Sequence, residues 1–273
     1  MKRQFVLPLC VGVFLTSSLV AVFRGGGQVT TPTKYTRPEI DFKQFPIVDL
    51  TASLPSDESA KATRIRRSKK YDNKSLSEIS EASNSTFVVN EALSNLSALP
   101  VDKSSVVLIG EIVDAKAYLS EDKTAVYSEF EIRIQAVLKN NSKQVLSAGE
   151  SIPVERFGGR VRLPSGKLFI AAVDNQDMPR LGGKYLLFLT NDFIGAKHSD
   201  EDFNILMGYE LRGGKVFPLD RTSSNHPIAR YNEKDESTLL TDLSSLLGAS
   251  ATLPSHQPKS YAQTMWFLPF GRI

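Results

Sequence analysis

Apolar residues are distributed unevenly along the chain, and this distribution predicts its organisation. An uncharged apolar run covers residues 5–23, a polar stretch follows, and short apolar runs then alternate with turns as far as residue 220. Clustering of this kind favours one folded unit with long tails. We therefore predict four regions: a signal anchor or signal peptide at 1–27, a disordered basic linker at 28–85, a β-barrel domain with flanking helices at 86–248, and a C-terminal tail at 249–273.

The strand pattern is clearest between Val126 and Leu138, where apolar side chains alternate with polar and charged ones. Strict alternation predicts a half-buried strand. The apolar run before it is interrupted by Gly110, which predicts a bulge or bend in a long first strand. Turn signals separate further strand candidates with the sequences SIPVERF, RVRL, KLFIAAV, KYLLFLT, ILMGYEL and KVFPL.

Many short strands after a long bent one predict a mostly β fold, a small antiparallel barrel that is OB-like, with a β-sandwich as the alternative. Helices are predicted on both sides of the strands. Apolar residues recur at helical spacing between Thr86 and Leu99, and the leucine stripe of STLLTDLSSLLG predicts a second helix that ends at Gly248.

The N-terminus has the pattern of an export signal, because Lys2 and Arg3 precede the apolar run at 5–23. A run of this length is close to what crosses a bilayer as a helix. The charge bias keeps the N-terminus in the cytoplasm and sends the bulk of the chain across the membrane. We predict a membrane-anchored protein with its bulk in the periplasm or at the cell surface; the alternative is secretion after signal cleavage.

The composition of the chain excludes several kinds of functional site. The chain has 33 basic and 30 acidic residues, a net charge of +3 that gives no reason to expect a nucleic-acid partner. Its single cysteine, Cys10, lies inside the N-terminal apolar run. A disulfide, a zinc–thiolate site and a cysteine nucleophile are therefore excluded from the predicted domain.

One segment of the predicted linker, KATRIRRSKKYDNK, gathers basic residues around the single acid Asp72. Such a run binds anionic lipid headgroups or an acidic envelope polymer, or it is simply a solvated linker. The acidic run KHSDEDF is read as a solvated loop, since it lacks the spacing of a calcium-binding loop. Salt dependence of binding distinguishes the two interpretations of the basic run.

No catalytic signature is found around His198, His226 or His256. Glu129 and Glu131, which share a strand face with Arg133, are interpreted as a cross-strand charge set, not as a glycosidase pair. We predict no catalytic residue, no metal site and no cofactor, and hence a protein that is not an enzyme. The alternative is an envelope hydrolase with acidic catalytic residues that converge only in the fold.

The best candidate ligand contacts lie around the sequence ERFGGRVR. Glycines beside arginines of one strand parity can grip an anionic group, although an edge strand guarded by charge has the same pattern. The candidate ligand-binding residues are Arg156, Phe157, Arg160 and Arg162. The predicted partners are an anionic envelope polymer, lipid headgroups or another protein.

The motifs LPVDKSSVVLIGEI, AYLSEDKTAVYSEFEIRIQAVLKN, ERFGGRVRLPSG and GGKYLLFLT resemble those of a family of uncharacterised exported bacterial proteins, over residues 98–220. The resemblance implies an exported location and domain boundaries but no chemistry. In architecture the chain is similar to OB barrels and to netrin-like modules, although it lacks the cysteines that netrin-like modules use. Together these observations predict a non-catalytic binding or interaction module of the cell envelope.

Overall fold

The structure is a computed structural model that describes residues 40–83, 86–89, 96–191, 202–221, 223 and 225–248. The predicted signal segment at 1–27 and the predicted tail at 249–273 lie outside these residues. None of the helices in the described ranges has the length and apolar character needed to span a membrane.

Strands dominate the described ranges, and the prediction of a mostly β fold is confirmed. The strands are β1 Ile47–Asp49, β2 Thr86–Val89, β3 Val106–Leu119, β4 Val126–Asn140, β5 Ser151–Phe157, β6 Gly159–Arg162, β7 Leu168–Val173, β8 Lys184–Thr190, β9 Phe203–Arg212 and β10 Lys215–Pro218. The α-helices are α1 Glu58–Lys69 and α2 Glu236–Leu247, and short 3-10 helices cover Phe42–Gln44 and Pro227–Tyr231.

The larger sheet has the strand order β10-β9-β5-β4-β3-β8, and β8 also pairs with β9. Pairing therefore runs from β3 through β4, β5, β9 and β8 and returns to β3. Within this circuit β5 and β9 are parallel, while the other neighbours are antiparallel. The first core lies on this sheet and includes Ile112, Phe130, Ile132, Val154 and Leu187.

The first long strand, β3, has a register irregularity where the sequence predicts a bulge or bend. Its register against β4 shifts between Ile109 and Gly110. A Cβ atom at Gly110 would lie 2.4 Å from a side-chain carbon of Ile132, so β4 approaches too closely for any larger residue. β3 pairs with β8 through its first part and with β4 along its whole length.

A smaller sheet has the order β1-β6-β7-β2. The helix predicted to begin at Thr86 is not found there, because Thr86–Val89 is strand β2 and pairs in parallel with β7. Its β-branched and aromatic residues favour a strand once a neighbouring strand offers pairing. Residues 90–95 of that predicted helix lie outside the described ranges.

The second predicted helix is confirmed as α2, which ends before Gly248 in a left-handed conformation with φ of 75°. Its leucines Leu239 and Leu243 are fully buried in a second core beside Tyr209 and Tyr231. Tyr209 donates a hydrogen bond to the carbonyl oxygen of Ala98 at 2.6 Å. The segment before β3 is thereby tied to this core.

Residues 40–83, which the sequence assigns to a disordered basic linker, contain β1, α1 and a 3-10 helix. Three side chains from this stretch, Phe45, Tyr71 and Ile79, are at most 3% exposed. They are widely spaced and follow no period, so the apolar pattern alone does not reveal them. The segment is a polar strap that single apolar side chains hold against the domain.

Candidate functional site

A cluster of carboxylates on β4 and β5 is the most highly charged feature in the described ranges. Glu129 on β4 lies directly opposite Glu155 on β5 in the strand register, and Asp202 immediately precedes β9. Like charges on opposed strand positions destabilise a sheet unless a cation compensates them. We call Glu129, Glu155 and Asp202 the acidic face.

Helix α1 supplies the compensating cations. Arg64 and Arg67 are three residues apart, so they project from the same side of the helix. Arg64 pairs with Glu129, and Arg66 pairs with Asp202. The guanidinium of Arg67 bridges all three carboxylates, with Nη1 at 3.2 Å from Glu129 and Nε at 2.9 Å from Asp202 and 3.4 Å from Glu155.

Lys70 and Tyr71, just after α1, complete the contact. Lys70 Nζ lies 2.6 Å from Asp202 and 3.2 Å from Glu155. The hydroxyl of Tyr71 donates to Glu155 at 2.9 Å, and its ring stacks on Tyr127 with the ring centres 4.3 Å apart. The C-terminal end of α1 is therefore held by both charge and aromatic packing.

Tyr118 and Tyr127 surround the guanidinium of Arg64. Its Nη1 donates to the Tyr127 hydroxyl at 2.8 Å, and its central carbon lies 3.2 Å from the centre of the Tyr118 ring. A guanidinium over an aromatic face gains a cation–π attraction in addition to its ion pair. This side of β3 and β4 is therefore built to hold an arginine.

Burial and charge shift the ionisation of the acidic face in opposite directions. Burial raises the pKa of Glu155, against the attraction of Lys70. Burial also disfavours the charged form of Asp202, but hydrogen bonds from Arg66 and Lys70 outweigh it and hold the pKa of Asp202 well below its usual range. Burial raises the pKa of Tyr127 to about 12, so this hydroxyl stays protonated.

A shallow groove of about 250 Å³ continues the acidic face along the sheet. Glu129 belongs to both, and every lining residue comes from β3, β4 or β5. Asp114 and Glu131 are opposed in the strand register and add two more carboxylates. The other lining residues are Lys116, Tyr118, Phe130, Ser151 and Pro153.

The structure does not bring the four sequence-predicted ligand contacts together on one exposed surface. Arg156 has a side chain only 2% exposed and pairs with Asp220 in the interior. Phe157 points to the other side of β5, where its ring centre lies 6.4 Å from that of Tyr71. Alternation along the strand sends these neighbours to opposite sides of β5.

The other two predicted contacts lie on β6. Arg160 is half-buried and donates through Nε to the carbonyl oxygen of Phe45 at 2.8 Å. Arg162 is exposed and lies 3.4 Å from Asp49 on the neighbouring strand β1. Both arginines thus fasten the polar strap to the domain, and Arg162 alone of the predicted set keeps a largely exposed side chain.

Of the acidic run KHSDEDF, the structure describes only Asp202 and Phe203. His198 and the neighbouring acids lie outside the described ranges. Across the ranges that are described, no group of three or more histidine, cysteine, aspartate or glutamate side chains is arranged to hold a metal ion.

Sequence reasoning missed the pairing of the basic run with the acidic face. It noted Glu129, but as part of a cross-strand charge set. The available signal was charge complementarity between residues 62 to 136 positions apart, which becomes informative only when the fold is known.

No model of a known protein family matches the chain, and no curated protein is significantly similar to it.

Proposed function

We propose that this chain is a non-catalytic interaction module of the cell envelope, exported or membrane-anchored, that uses an OB-like barrel to bind a basic segment of another protein. The binding surface is the acidic face together with the groove beside it. Fractionation with protease protection tests the location: the folded domain is expected outside the cytoplasm, and a soluble cytoplasmic protein would contradict this part of the proposal.

The pairing circuit supports an OB-like barrel. Counted from β3, its five strands are β3, β4, β5, β8 and β9, and each of them has two neighbours in the circuit. OB barrels bind their ligands on the face of the second and third strands. Those strands are β4 and β5, which carry Glu129 and Glu155.

The main support for a basic partner is that the acidic face already holds a basic helix. Three carboxylates receive cationic groups from Arg64, Arg66, Arg67 and Lys70. A surface of this kind complements arginine and lysine and repels phosphate, which supports a protein partner over a nucleic acid. The arginines of β5 and β6 offer less to an anion, because Arg156 and Arg160 are held by partners and Arg162 alone of the three has a largely exposed side chain.

A hydrolase remains the second candidate because of one observation. The pKa values of Glu155 and Asp202 are shifted apart, as in an acid–base pair. Lys70 contacts both carboxylates, however, so while α1 is docked they are paired and almost fully buried. Hydrolysis of envelope glycans that disappears in Glu155→Gln would favour the enzyme.

The proposed binding is tested on the full chain with Arg64, Arg66 and Arg67 changed to Gln, which weakens the hold of α1 on the acidic face. The probe is a labelled peptide of residues 57–72, followed by fluorescence anisotropy at low salt. We expect saturable binding that is lost when Glu155→Gln and Asp202→Asn are added. A control with Glu78→Gln and Asp235→Asn removes two exposed carboxylates elsewhere and is expected to bind normally.

A further inference from the structure

We infer that α1 is a built-in latch: it occupies the acidic face in the resting protein and is displaced by an Arg/Lys-rich helix of the partner. This inference rests on the proposed function, because it describes how the same surface is regulated. It has three supports: the way α1 is attached, the small cost of exchanging it, and the groove that α1 leaves open.

Helix α1 is attached by charge and hardly at all by apolar packing. Ser68 is its only buried residue, and its one large apolar side chain, Ile65, is half-buried. Residues 51–60, which lead into the helix and form its first turn, are all exposed. A helix without an apolar face gains little stability from packing, so the ion pairs decide whether it stays docked.

Exchange of one basic helix for another has a small net cost. When α1 leaves, Glu155 and Asp202 regain the hydration that their burial removes, which offsets most of the lost attraction. A partner helix then restores the same pairs. The arrangement therefore selects for positive charge while contributing little to the stability of the fold.

The groove gives a partner an advantage over α1. It presents Glu131 together with Asp114, which pairs with Lys116, whereas the first turn of α1 begins with the acids Asp57 and Glu58. A partner with lysine or arginine at the corresponding positions adds ion pairs that α1 does not make. Differential affinity of this kind is what displacement requires.

The chain on either side of α1 is fixed, so the latch stays tethered when it opens. Leu50 is bonded through its backbone to Arg162 at 2.9 Å, and Tyr71 is stacked on Tyr127. Ile79 is buried beyond it. Only residues 51–70 need to move, and their tether keeps the effective concentration of the latch high.

The test compares the full-length wild type with two variants of equal charge. Arg64, Arg66 and Arg67→Gln removes cations that face the carboxylates, whereas Lys61, Lys69 and Lys74→Gln removes exposed ones. We expect the first variant to exchange the amide hydrogens of α1 faster and to bind the 57–72 peptide about tenfold tighter than wild type, as for a latch that is open about a tenth of the time. The second is expected to behave as wild type.

A second peptide with Asp57→Lys and Glu58→Lys tests the groove. We expect it to bind the first variant more tightly than the parent peptide does, and to lose that gain when Asp114→Asn and Glu131→Gln are introduced. A second peptide that binds no better than the parent would overturn the role of the groove.

The outcomes separate the latch from the proposed function. Equal peptide affinity in wild type and the first variant would overturn the latch and leave the acidic face as a binding surface. Unchanged hydrogen exchange in α1 would also overturn it, since the attachment would not depend on these charges. If α1 is released and no peptide binds, the proposed function itself is wrong.

Discussion

Two ion-pair systems lie on opposite sides of β5 and use the same residue types in different roles. On one side, Glu155 shares its cations with Glu129 and Asp202 beneath α1, where the carboxylate side chains are at most 12% exposed and those of the cations 10–38%. On the other, Arg156 and Asp220 form a single pair, with side chains 2% and 0% exposed. Within the described ranges, Nε and Nη1 of Arg156 and Oδ2 of Asp220 have no hydrogen-bond partner.

The difference shows why one system suits exchange and the other does not. Each carboxylate of the acidic face contacts more than one cation, so the loss of one cation leaves another in place. The interior pair has no substitute, and removal of either member leaves a buried charge uncompensated. The acidic face can therefore serve recognition, whereas the Arg156–Asp220 pair can only hold the interior together.

The largest effect is expected from Asp220→Ala. It leaves Arg156 charged and unpaired in the interior, which costs about 3–5 kcal/mol of unfolding free energy. Urea denaturation measures the loss. The double variant Arg156→Met/Asp220→Leu removes both charges and is expected to recover much of it. If Asp220→Ala alone lowers the unfolding free energy by less than about 1 kcal/mol, water reaches this pair.

Asp202→Asn is expected to cost less, about 1 kcal/mol at neutral pH, because the charge-assisted hydrogen bonds that it removes, to Arg66, Arg67 and Lys70, hold a helix that opens about a tenth of the time. The pKa of Asp202 is lowered in the folded protein from 3.8. Its contribution to stability is thus fully present above pH 3.8 and is lost as the pH falls from there toward the folded-state pKa.

The measurement is the difference in unfolding free energy between wild type and Asp202→Asn at several pH values. Groups common to both proteins cancel in this difference. We expect the gap to be constant above about pH 5 and to narrow below pH 3.8. A gap that narrows already between pH 7 and pH 5 would mean that Asp202 is not the group held ionised.

The strands were predictable because their pattern is local. Alternation from Val126 to Leu138 and the interruption at Gly110 each report on one strand and its immediate neighbour. The role of α1 was not predictable in this way. Arg64 and Glu129 are 65 residues apart in sequence, and the fold brings them together beside the stacked rings of Tyr71 and Tyr127.

The candidate site illustrates the same limit. Arg156 and Phe157 are adjacent in sequence, and a glycine-rich arginine motif suggested one surface. Strand geometry places them on opposite sides of β5. Arg156 is held in the interior by Asp220, a buried residue that follows β10. The sequence alone predicts that side chains alternate along β5. It does not predict which of the two alternate sets faces the interior when both sets contain polar residues.

The smallest effect is expected from Arg162→Ala. This arginine keeps 55% of its side chain exposed and faces Asp49, which is equally exposed, across 3.4 Å. Exposed pairs of this kind contribute about 0–1 kcal/mol and weaken with salt. We therefore expect urea denaturation to give an unfolding free energy close to that of wild type, and no change in binding of the 57–72 peptide, since Arg162 lies on β6 and outside the acidic face.

Retention on an immobilised anionic polymer at low salt is the sharper measurement. If Arg162→Ala abolishes that retention while Arg64, Arg66 and Arg67→Gln does not, the exposed arginine of β6 is the recognition element, and the comparison between the two sides of β5 does not locate the binding surface.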